Sequence, residues 1–201
     1  MKRVAILFSI VALTLAMFVS FDNPATVKAD IAVGATLENF TLPDLDGTQR
    51  SFNDLKGKNG AVLIWVSAQC PVVKAYNERI NKLANELQAK GINVIGINSN
   101  VTESLEWIKS DVAQVGYKFP VLIDKGNVLA DKLGASVTPE VYYFNEKNVL
   151  LYHGAIDNDR SGENISEHYL RDAVEAALAG KAIAKTKAKA FGCTIKRVGA
   201  N

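Results

Sequence analysis

Two cysteines have the residue type for thiol chemistry, and Cys70 has the more telling surroundings. It follows the apolar run Ala61–Val66, a predicted buried strand, and precedes Pro71 at the start of a predicted helix. A helix N-terminus offers free backbone N–H groups and the positive end of a dipole, and both favour a thiolate over a thiol. Cysteines in that position commonly become reactive near neutral pH. An inert buried cysteine is the alternative interpretation.

The second cysteine, Cys193, lies near the C-terminus in the segment Phe191–Lys196. Three roles are open to it: a thiol that resolves an intermediate on Cys70, a static disulfide with Cys70, or an unpaired thiol. An oxidising compartment permits a disulfide between the two. A static bridge closing so long a loop would contribute about 4–5 kcal/mol in the chain-entropy model.

Several side chains near Cys70 in sequence are candidates to support its sulfur. Ser67 and Gln69 are predicted to add hydrogen bonds to it, and Pro71 suits a first helical position because it has no N–H to leave unpaired. Lys74 lies one turn later and is a second candidate, with an ordinary solvated lysine as its alternative. Arg79 is about 13 Å along the helix and therefore too far to touch the sulfur.

The predicted elements follow the order β-α-β-α-(β,α)-β-β-α after a small N-terminal hairpin. The strands are predicted at 40–42, 48–52, 61–66, 92–97, 119–123, 141–144 and 149–152, and the helices at 71–90, 102–115, 128–133 and 166–178. Thr102 and Ser166 are the predicted caps of the second and last helices. A strand–helix–strand unit followed by a hairpin and a helix is the layout of the thioredoxin fold. The fold class is therefore α/β, with three α/β/α layers around a mixed sheet, an N-terminal β extension and an extra helix.

Three segments resemble the AhpC/TSA and thioredoxin-like (redoxin) family, and its peroxiredoxin-like branch in particular. They are the turn from Trp65 to Lys74, the Ile-Asn-Ser-Asn of Ile97–Asn100, and the Gly-Cys-Thr-Ile-Lys of Gly192–Lys196. The resemblance extends over about residues 33–197. It implies that Cys70 attacks a peroxide oxygen or a disulfide sulfur and that an external thiol supplies electrons.

The resemblance also implies a cis-proline loop at Thr138 and Pro139, facing Cys70. There the backbone of Thr138 would be offered to a substrate, so both residues join Ser67, Gln69 and Pro71 as substrate-positioning candidates. A plain proline at the edge of a strand is the alternative, because proline at the first position of a strand costs no ladder hydrogen bond.

The sequence departs from the family patterns at two positions. Val73 stands where a thioredoxin has the second cysteine of Cys-x-x-Cys, so the adjacent resolving thiol is absent. Leu63 stands where a typical peroxiredoxin has a proline, although Ser67 fills the hydroxyl position. Arg160 and Arg171 are candidates by order for a peroxide-binding arginine, with surface ion pairing as the alternative for each.

These residues predict a thiol-based oxidoreductase, either a peroxidase or a thiol–disulfide oxidoreductase, with Cys70 and Cys193 as its catalytic residues. The alternative is a non-enzymatic binding or scaffold module in which the two thiols only form a structural bridge. A disulfide isomerase or reductase for exported proteins is a third hypothesis, and Val73 weakens it.

Residues 1–29 have the pattern of a secretory signal peptide: a basic start, the apolar run Val4–Phe21, and the small residue Ala29 before the expected cleavage site. An uncleaved membrane anchor is the alternative, since a run of about 18 apolar residues can span a bilayer. A periplasmic or secreted location follows. The remaining chain divides into a redoxin domain at 30–180 and a tail at 181–201 that carries Cys193.

Composition argues against several other classes of function. The net charge is +2, and removal of residues 1–29 leaves equal numbers of acidic and basic residues, so no basic surface for nucleic acid is expected. His153 and His168 are the only histidines, and no cysteine–histidine cluster has metal-binding spacing. We therefore expect no metal and no cofactor. The expected partners are a peroxide or protein disulfide and a thiol donor.

Overall fold

The computed structural model describes residues 31–199, so the predicted signal peptide lies outside the described residues. The elements in chain order are β1 (Thr41–Pro43), β2 (Gln49–Ser51), α1 (Phe52–Leu55), β3 (Ala61–Trp65), α2 (Pro71–Ala89), β4 (Asn93–Asn98), α3 (Leu105–Val115), β5 (Val121–Ile123), α4 (Val128–Leu133), β6 (Val137–Thr138), β7 (Glu140–Phe144), β8 (Leu150–Gly154), α5 (Tyr169–Leu178), β9 (Lys187–Ala188) and β10 (Cys193–Thr194). Within 31–199, no helix combines the length and apolarity needed to cross a membrane.

A six-stranded mixed sheet forms the centre of the molecule, in the order β5-β4-β3-β7-β8-β9. Strands β3, β4 and β5 run parallel, while β7 is antiparallel to both β3 and β8. The side chains of β3 alternate between two cores: Val62 and Ile64 pack with α2, α3 and α5, whereas Leu63 and Trp65 pack with α1 and α4. The predicted three-layer thioredoxin fold is confirmed.

Two predicted helix caps are wrong. Ser104, not Thr102, caps α3 by accepting a hydrogen bond from the third helical N–H at 3.2 Å. Helix α5 begins after His168, because Ser166 exchanges two hydrogen bonds with Asn158 and is held in the preceding loop. Both errors arise because Ser and Thr side chains can serve turns as well as helix ends.

The segment after Gly180 is extended, as predicted, and it is paired with other strands. Strand β9 joins β8 in parallel as the last strand of the sheet, and β10 pairs antiparallel with β6. Ile195, just beyond β10, is 2% exposed and belongs to the core that contains α4. The tail therefore lies against the body of the protein. The domain division at residue 180 stays a prediction.

Candidate functional site

Cys70 occupies the N-cap of α2, between the buried strand β3 and Pro71 at the first helical position. Its sulfur accepts a hydrogen bond from the backbone N–H of Val73 at 3.5 Å. The predicted position at a helix N-terminus is confirmed, and one of the free N–H groups of that terminus points at the sulfur. The residue is 2% exposed, so a reagent reaches it only if its cover moves.

The cover is Cys193, which forms a disulfide with Cys70 across a Cα–Cα distance of 5.8 Å. Cys193 itself is partly exposed. The pairing removes the unpaired thiol from the three roles open to Cys193. A resolving thiol and a static bridge both remain compatible with it.

The cis-proline loop lies on the other side of the sulfur. The peptide bond between Thr138 and Pro139 is cis, as the family resemblance implies. The Thr138 carbonyl oxygen lies 3.2 Å from the sulfur of Cys70. Thr138 is also the residue opposite Cys193 in the β6–β10 pair, and its hydroxyl donates to the Cys193 carbonyl at 3.5 Å. The backbone of Thr138 therefore contacts both members of the disulfide.

Glu103 is a buried carboxylate that the sequence analysis missed. It accepts hydrogen bonds from the Ser67 hydroxyl at 2.5 Å, from the backbone N–H groups of Ala68 and Gln69 at 3.1 Å each, and from Asn98 Nδ2 at 2.6 Å. The prediction that the Ser67 and Gln69 side chains hydrogen-bond to the sulfur is therefore corrected: the Ser67 hydroxyl donates to Glu103, and the Gln69 side-chain amide donates to the Thr102 carbonyl at 3.5 Å. Their roles as substrate-positioning residues stay predictions. Glu103 fixes the turn leading into Cys70.

The topology explains why this loop meets the active turn. Strands β3 and β4 are parallel neighbours, so the turn after Trp65 and the loop after Asn98 leave the sheet at the same edge. The available signal in the sequence was an acidic residue shortly after the motif Ile97–Asn100, which ends a buried strand. Local patterning gave no reason to direct Glu103 inward, because glutamate is rarely buried without partners.

A second series of hydrogen bonds, on the other face of the sheet, links the C-terminal ends of the same strands. Trp65 Nε1 donates to the Ser99 hydroxyl at 3.0 Å, and that hydroxyl donates to Asp124 at 2.7 Å. Asp124 also accepts the backbone N–H groups of Leu129 and Ala130, both at 2.9 Å, at the start of α4. The ends of β3, β4 and β5 are thus joined by satisfied buried hydrogen bonds, which make this edge rigid.

The candidate cations bind other groups or face solvent. Arg79 donates to Asp157 and to the carbonyl oxygens of Asp159 and Arg160, all at 2.8 Å. Arg171 forms an ion pair with Glu86 at 2.7 Å. Lys74 is exposed on α2. No arginine among the described residues donates a hydrogen bond to either cysteine.

Glu140, the residue after the cis-proline, anchors the loop from behind. One of its oxygens accepts the N–H groups of Ser136 at 2.7 Å and Val137 at 3.2 Å, and the other lies 2.6 Å from His153 Nε2. Burial alone would raise the pKa of Glu140, but the hydrogen bonds from His153 and the two backbone N–H groups outweigh it and hold that pKa below its usual value. Glu140 is therefore a carboxylate that fixes the position of β6.

The region 31–199 contains no group of three or more His, Cys, Asp or Glu side chains arranged to hold a metal ion. The chemistry that the arranged residues themselves can perform is exchange between a thiol and a disulfide. That exchange needs a thiolate that can reach a disulfide sulfur. The site places Cys70 at a helix N-terminus, bonded to Cys193 and beside the Thr138 carbonyl.

Comparison with known proteins gives a consistent result. The family model described as "AhpC/TSA family" matches residues 33–153. The thiol-disulfide oxidoreductase ResA of Bacillus thuringiensis (strain Al Hakam) is 27% identical over 150 residues, which cover 73% of this chain and 85% of that protein. A hypothetical protein from Sinorhizobium meliloti 1021 has a solved structure with a TM-score of 0.77 and 31% identity, covering 85% of this chain and 97% of its own. A putative thiol:disulfide interchange protein DsbE from Chlorobium tepidum shares the fold, with a TM-score of 0.62, 19% identity, and coverage of 74% and 99%.

Proposed function

The chain belongs to the AhpC/TSA family and is a thiol-based oxidoreductase, and on this premise we propose that it exchanges disulfides with other proteins. In this proposal Cys70 attacks the substrate and Cys193 resolves the intermediate. The observation that carries it is the Cys70–Cys193 pair, held between a helix N-terminus and a cis-proline loop. The name of the ResA relative, a thiol-disulfide oxidoreductase, supports the same class of reaction.

The proposed reaction has two steps. The Cys70 thiolate attacks one sulfur of a substrate disulfide, the substrate S–S bond breaks, and its other sulfur leaves as a thiolate that takes up a proton. The thiolate of Cys193 then attacks the sulfur of Cys70, and the second substrate thiolate leaves. The substrate gains two electrons and the chain is left with the Cys70–Cys193 disulfide. An external dithiol must reduce that disulfide before the next turnover.

Disulfides suit the site better than peroxide does. A peroxide-reducing site needs groups that polarise the O–O bond, and the ion pairs of Arg79 and Arg171 direct both side chains to carboxylates elsewhere. Leu63 replaces the proline of the peroxiredoxin pattern. Peroxide remains the second substrate class, on the family membership alone.

The proposal is tested with the reduced protein, a protein disulfide such as that of insulin, and a dithiol donor. We expect Cys70→Ser to lose turnover, and Cys193→Ser to stop at a mixed disulfide that gel electrophoresis detects. Equal activity of Cys70→Ser and the unmodified chain would sink the proposal. The same three proteins with hydrogen peroxide in place of insulin decide between the two substrate classes.

The scaffold hypothesis makes a different prediction for the reduction potential. A purely structural bridge is expected below about −300 mV, whereas a working disulfide lies at a more positive potential. Equilibration with glutathione or dithiothreitol buffers of known potential measures which applies.

Export is part of the proposal and depends on the pattern of residues 1–29. Cell fractionation with N-terminal sequencing of the mature protein tests it. A mature chain starting near residue 30 outside the cytoplasm supports cleavage, and a full-length chain in the membrane fraction supports the anchor instead.

A further inference from the structure

Residues 193–198 begin in strand β10 and lie between two walls that hydrogen-bond to them. We call these residues the tail peptide and the space between the walls the groove. The first wall of the groove is β6, the strand that ends in the cis-proline loop. Cys193 and Thr194 pair antiparallel with Thr138 and Val137, and the next N–H, that of Ile195, donates to the Ser136 carbonyl at 3.0 Å. Within the described chain, β6 has no other strand partner.

The second wall comes from the loops after β4 and β5. Asn100 Oδ1 accepts the N–H of Lys196 at 2.9 Å, and the N–H of Val101 donates to the Lys196 carbonyl at 3.1 Å. Asn127 Oδ1 accepts the N–H of Val198 at 3.0 Å. The backbone of the tail peptide is therefore hydrogen-bonded on both sides, by groups that would bind any extended chain in the same register.

Two side chains of the tail peptide, those of Ile195 and Arg197, are held by the rest of the protein. Ile195 is 2% exposed, in the core that also contains Leu129 and Leu133 of α4. Arg197 forms an ion pair with Asp131 at 2.8 Å and donates to the Ala135 carbonyl at 2.6 Å. The groove thus matches a cysteine, an aliphatic residue two positions later, and a cation four positions later.

This occupant also blocks the site. With the tail peptide in place, Cys70 is 2% exposed and its sulfur is bonded, so an external disulfide cannot approach it. Departure of the tail peptide would expose Cys70 and leave the edge of β6 unpaired. An unpaired strand edge is a ready template for another extended chain, with main-chain hydrogen bonds giving affinity and side-chain pockets giving specificity.

We propose that the tail peptide is a tethered occupant of the substrate groove and that polypeptide substrates bind there in its register. The substrate is an extended segment with the pattern cysteine, any residue, aliphatic, any residue, basic. Its cysteine lies opposite Thr138, its aliphatic side chain fills the position of Ile195, and its cation faces Asp131. The inference rests on the proposed function, because it assumes that Cys70 exchanges disulfides.

The chemical step is the first step proposed above. The Cys70 thiolate attacks the substrate cysteine's sulfur, the substrate S–S bond breaks, and its former partner leaves as a thiolate. The tail peptide then returns, Cys193 attacks Cys70, and the substrate segment departs as a thiol. The substrate segment and the tail peptide thus replace each other in the groove, so substrate binding requires departure of the tail peptide and substrate release accompanies its return.

The test uses the full-length Cys193→Ser protein, reduced at Cys70, and three probes that each release the chromophore thionitrobenzoate when a thiol attacks. The first probe is a peptide that copies residues 190–198 with its cysteine bonded to the chromophore. The second carries aspartate at the position of Ile195, and the third is glutathione bonded to the chromophore. We expect the copied peptide to react at least tenfold faster than the aspartate peptide and to show saturation.

Two further substitutions, each added to the Cys193→Ser protein, test whether the tail peptide competes with the probes. One should release the tail peptide, and the other should leave it docked. Adding Ile195→Asp should release the tail and raise the rate with the copied peptide, whereas adding Leu178→Asp, on α5 at a side chain that is 43% exposed and belongs to neither wall of the groove, should leave it unchanged. Thermal unfolding monitored by circular dichroism verifies that both variants fold. If either variant does not fold, the rates of the three probes with the Cys193→Ser protein still test the groove.

The outcomes separate the two proposals. Equal rates for all three probes, or no increase with Ile195→Asp, would overturn the groove and leave the proposed function standing. No chromophore release from any probe, with Cys70→Ser/Cys193→Ser indistinguishable from Cys193→Ser, would overturn the proposed function and this inference together.

Discussion

Glu103 shows how one residue can control a reactive cysteine without touching it. Its carboxylate accepts hydrogen bonds from Ser67, Ala68 and Gln69, the three residues that immediately precede Cys70. Two of those donors are backbone N–H groups of a tight turn that have no strand or helix partner. The turn that presents the Cys70 sulfur is therefore held by hydrogen-bond acceptors supplied from another loop.

We predict that Glu103→Gln weakens this turn. An amide offers one acceptor oxygen where the carboxylate offers two, so at least one buried donor loses its partner, at a cost of about 1–3 kcal/mol. The midpoint of urea unfolding should fall, and the rate at which Cys70 reacts with a disulfide reagent in the reduced protein should fall with it. Glu78→Gln, on the exposed side of α2, is the control and should change neither quantity.

The backbone of Gly192, the residue before Cys193, lies so close to the carbonyl oxygen of Thr138 that it leaves no room for a side chain. Its φ is +158°, and a Cβ at this position would overlap the carbonyl oxygen of Thr138. Gly199, in the same tail, also has a positive φ of +72°, but nothing lies near its Cβ position. The two glycines therefore share a backbone that disfavours side chains and differ in steric contact.

We predict that Gly192→Ala shifts the equilibrium of the two cysteines toward the dithiol by about tenfold or more, or ~1.4 kcal/mol. The added methyl group must push β10 away from β6, which separates Cys193 from Cys70. Glutathione buffers measure the equilibrium. Gly199→Ala should leave it within a factor of about two, because only backbone strain remote from the sulfurs is added. Equal shifts in the two variants would contradict the steric argument.

The elements around the cysteines are tied together by Glu140, the residue after the cis-proline that follows β6. Glu140 begins β7, binds the N–H groups of Ser136 and Val137, and contacts His153 of β8. The cis-proline loop is therefore tied to two neighbouring strands through one carboxylate. His153 in turn pairs with Lys187 of β9, so the last strand of the sheet covers the same cluster.

The lowered pKa of Glu140 gives an expected dependence of stability on pH. A carboxyl group whose pKa is lower in the folded than in the unfolded protein stabilises the fold above the unfolded value. That stabilisation is lost as the pH falls from about 4.5 through the folded pKa. We predict that Glu140→Gln is destabilising near pH 7 and that its deficit relative to the unmodified protein shrinks between about pH 5 and pH 3. Urea unfolding at a series of pH values measures this, and a constant deficit would argue against it.

At the scale of the whole molecule, the disulfide joins the N-terminus of α2 to the tail across a sequence separation of 123 residues. The body of the protein between them contains two cores on opposite faces of one sheet. The body should fold without the bridge, because both cores are made almost wholly of residues before the tail. The bridge then acts mainly on the unfolded chain and on the docking of the tail.

We predict that reduction lowers the free energy of unfolding by up to about 4–5 kcal/mol while leaving the sheet intact. Hydrogen exchange should show faster exchange at the N–H groups of Ile195 and Lys196, with those of β3 still protected. The Cys70→Ser/Cys193→Ser protein should have the same free energy of unfolding and the same exchange rates as the reduced protein, and adding reductant should change neither. Unchanged exchange at Ile195 after reduction would mean that the tail stays docked without the bridge.

The sequence by itself determined the features that depend on local patterns. The apolar run Ala61–Val66 predicted a buried strand, and Cys70-Pro71 with the 3–4 spacing of Val73, Tyr76 and Ile80 predicted the start of a helix. A cysteine at a helix N-terminus follows from those two facts. The resemblance in three segments added the cis-proline loop and the family.

Tertiary structure alone decided which distant groups meet at that cysteine. Glu103 and Glu140 are buried because the parallel and antiparallel strands bring the loops that carry them to backbone N–H groups far away in sequence. The tail lacks the periodicity of a strand, and it is extended because β8 and β6 offer unpaired edges to it. Backbone hydrogen bonding does not depend on side-chain pattern, so the sequence could indicate Cys193 as a partner without showing the groove that delivers it to Cys70.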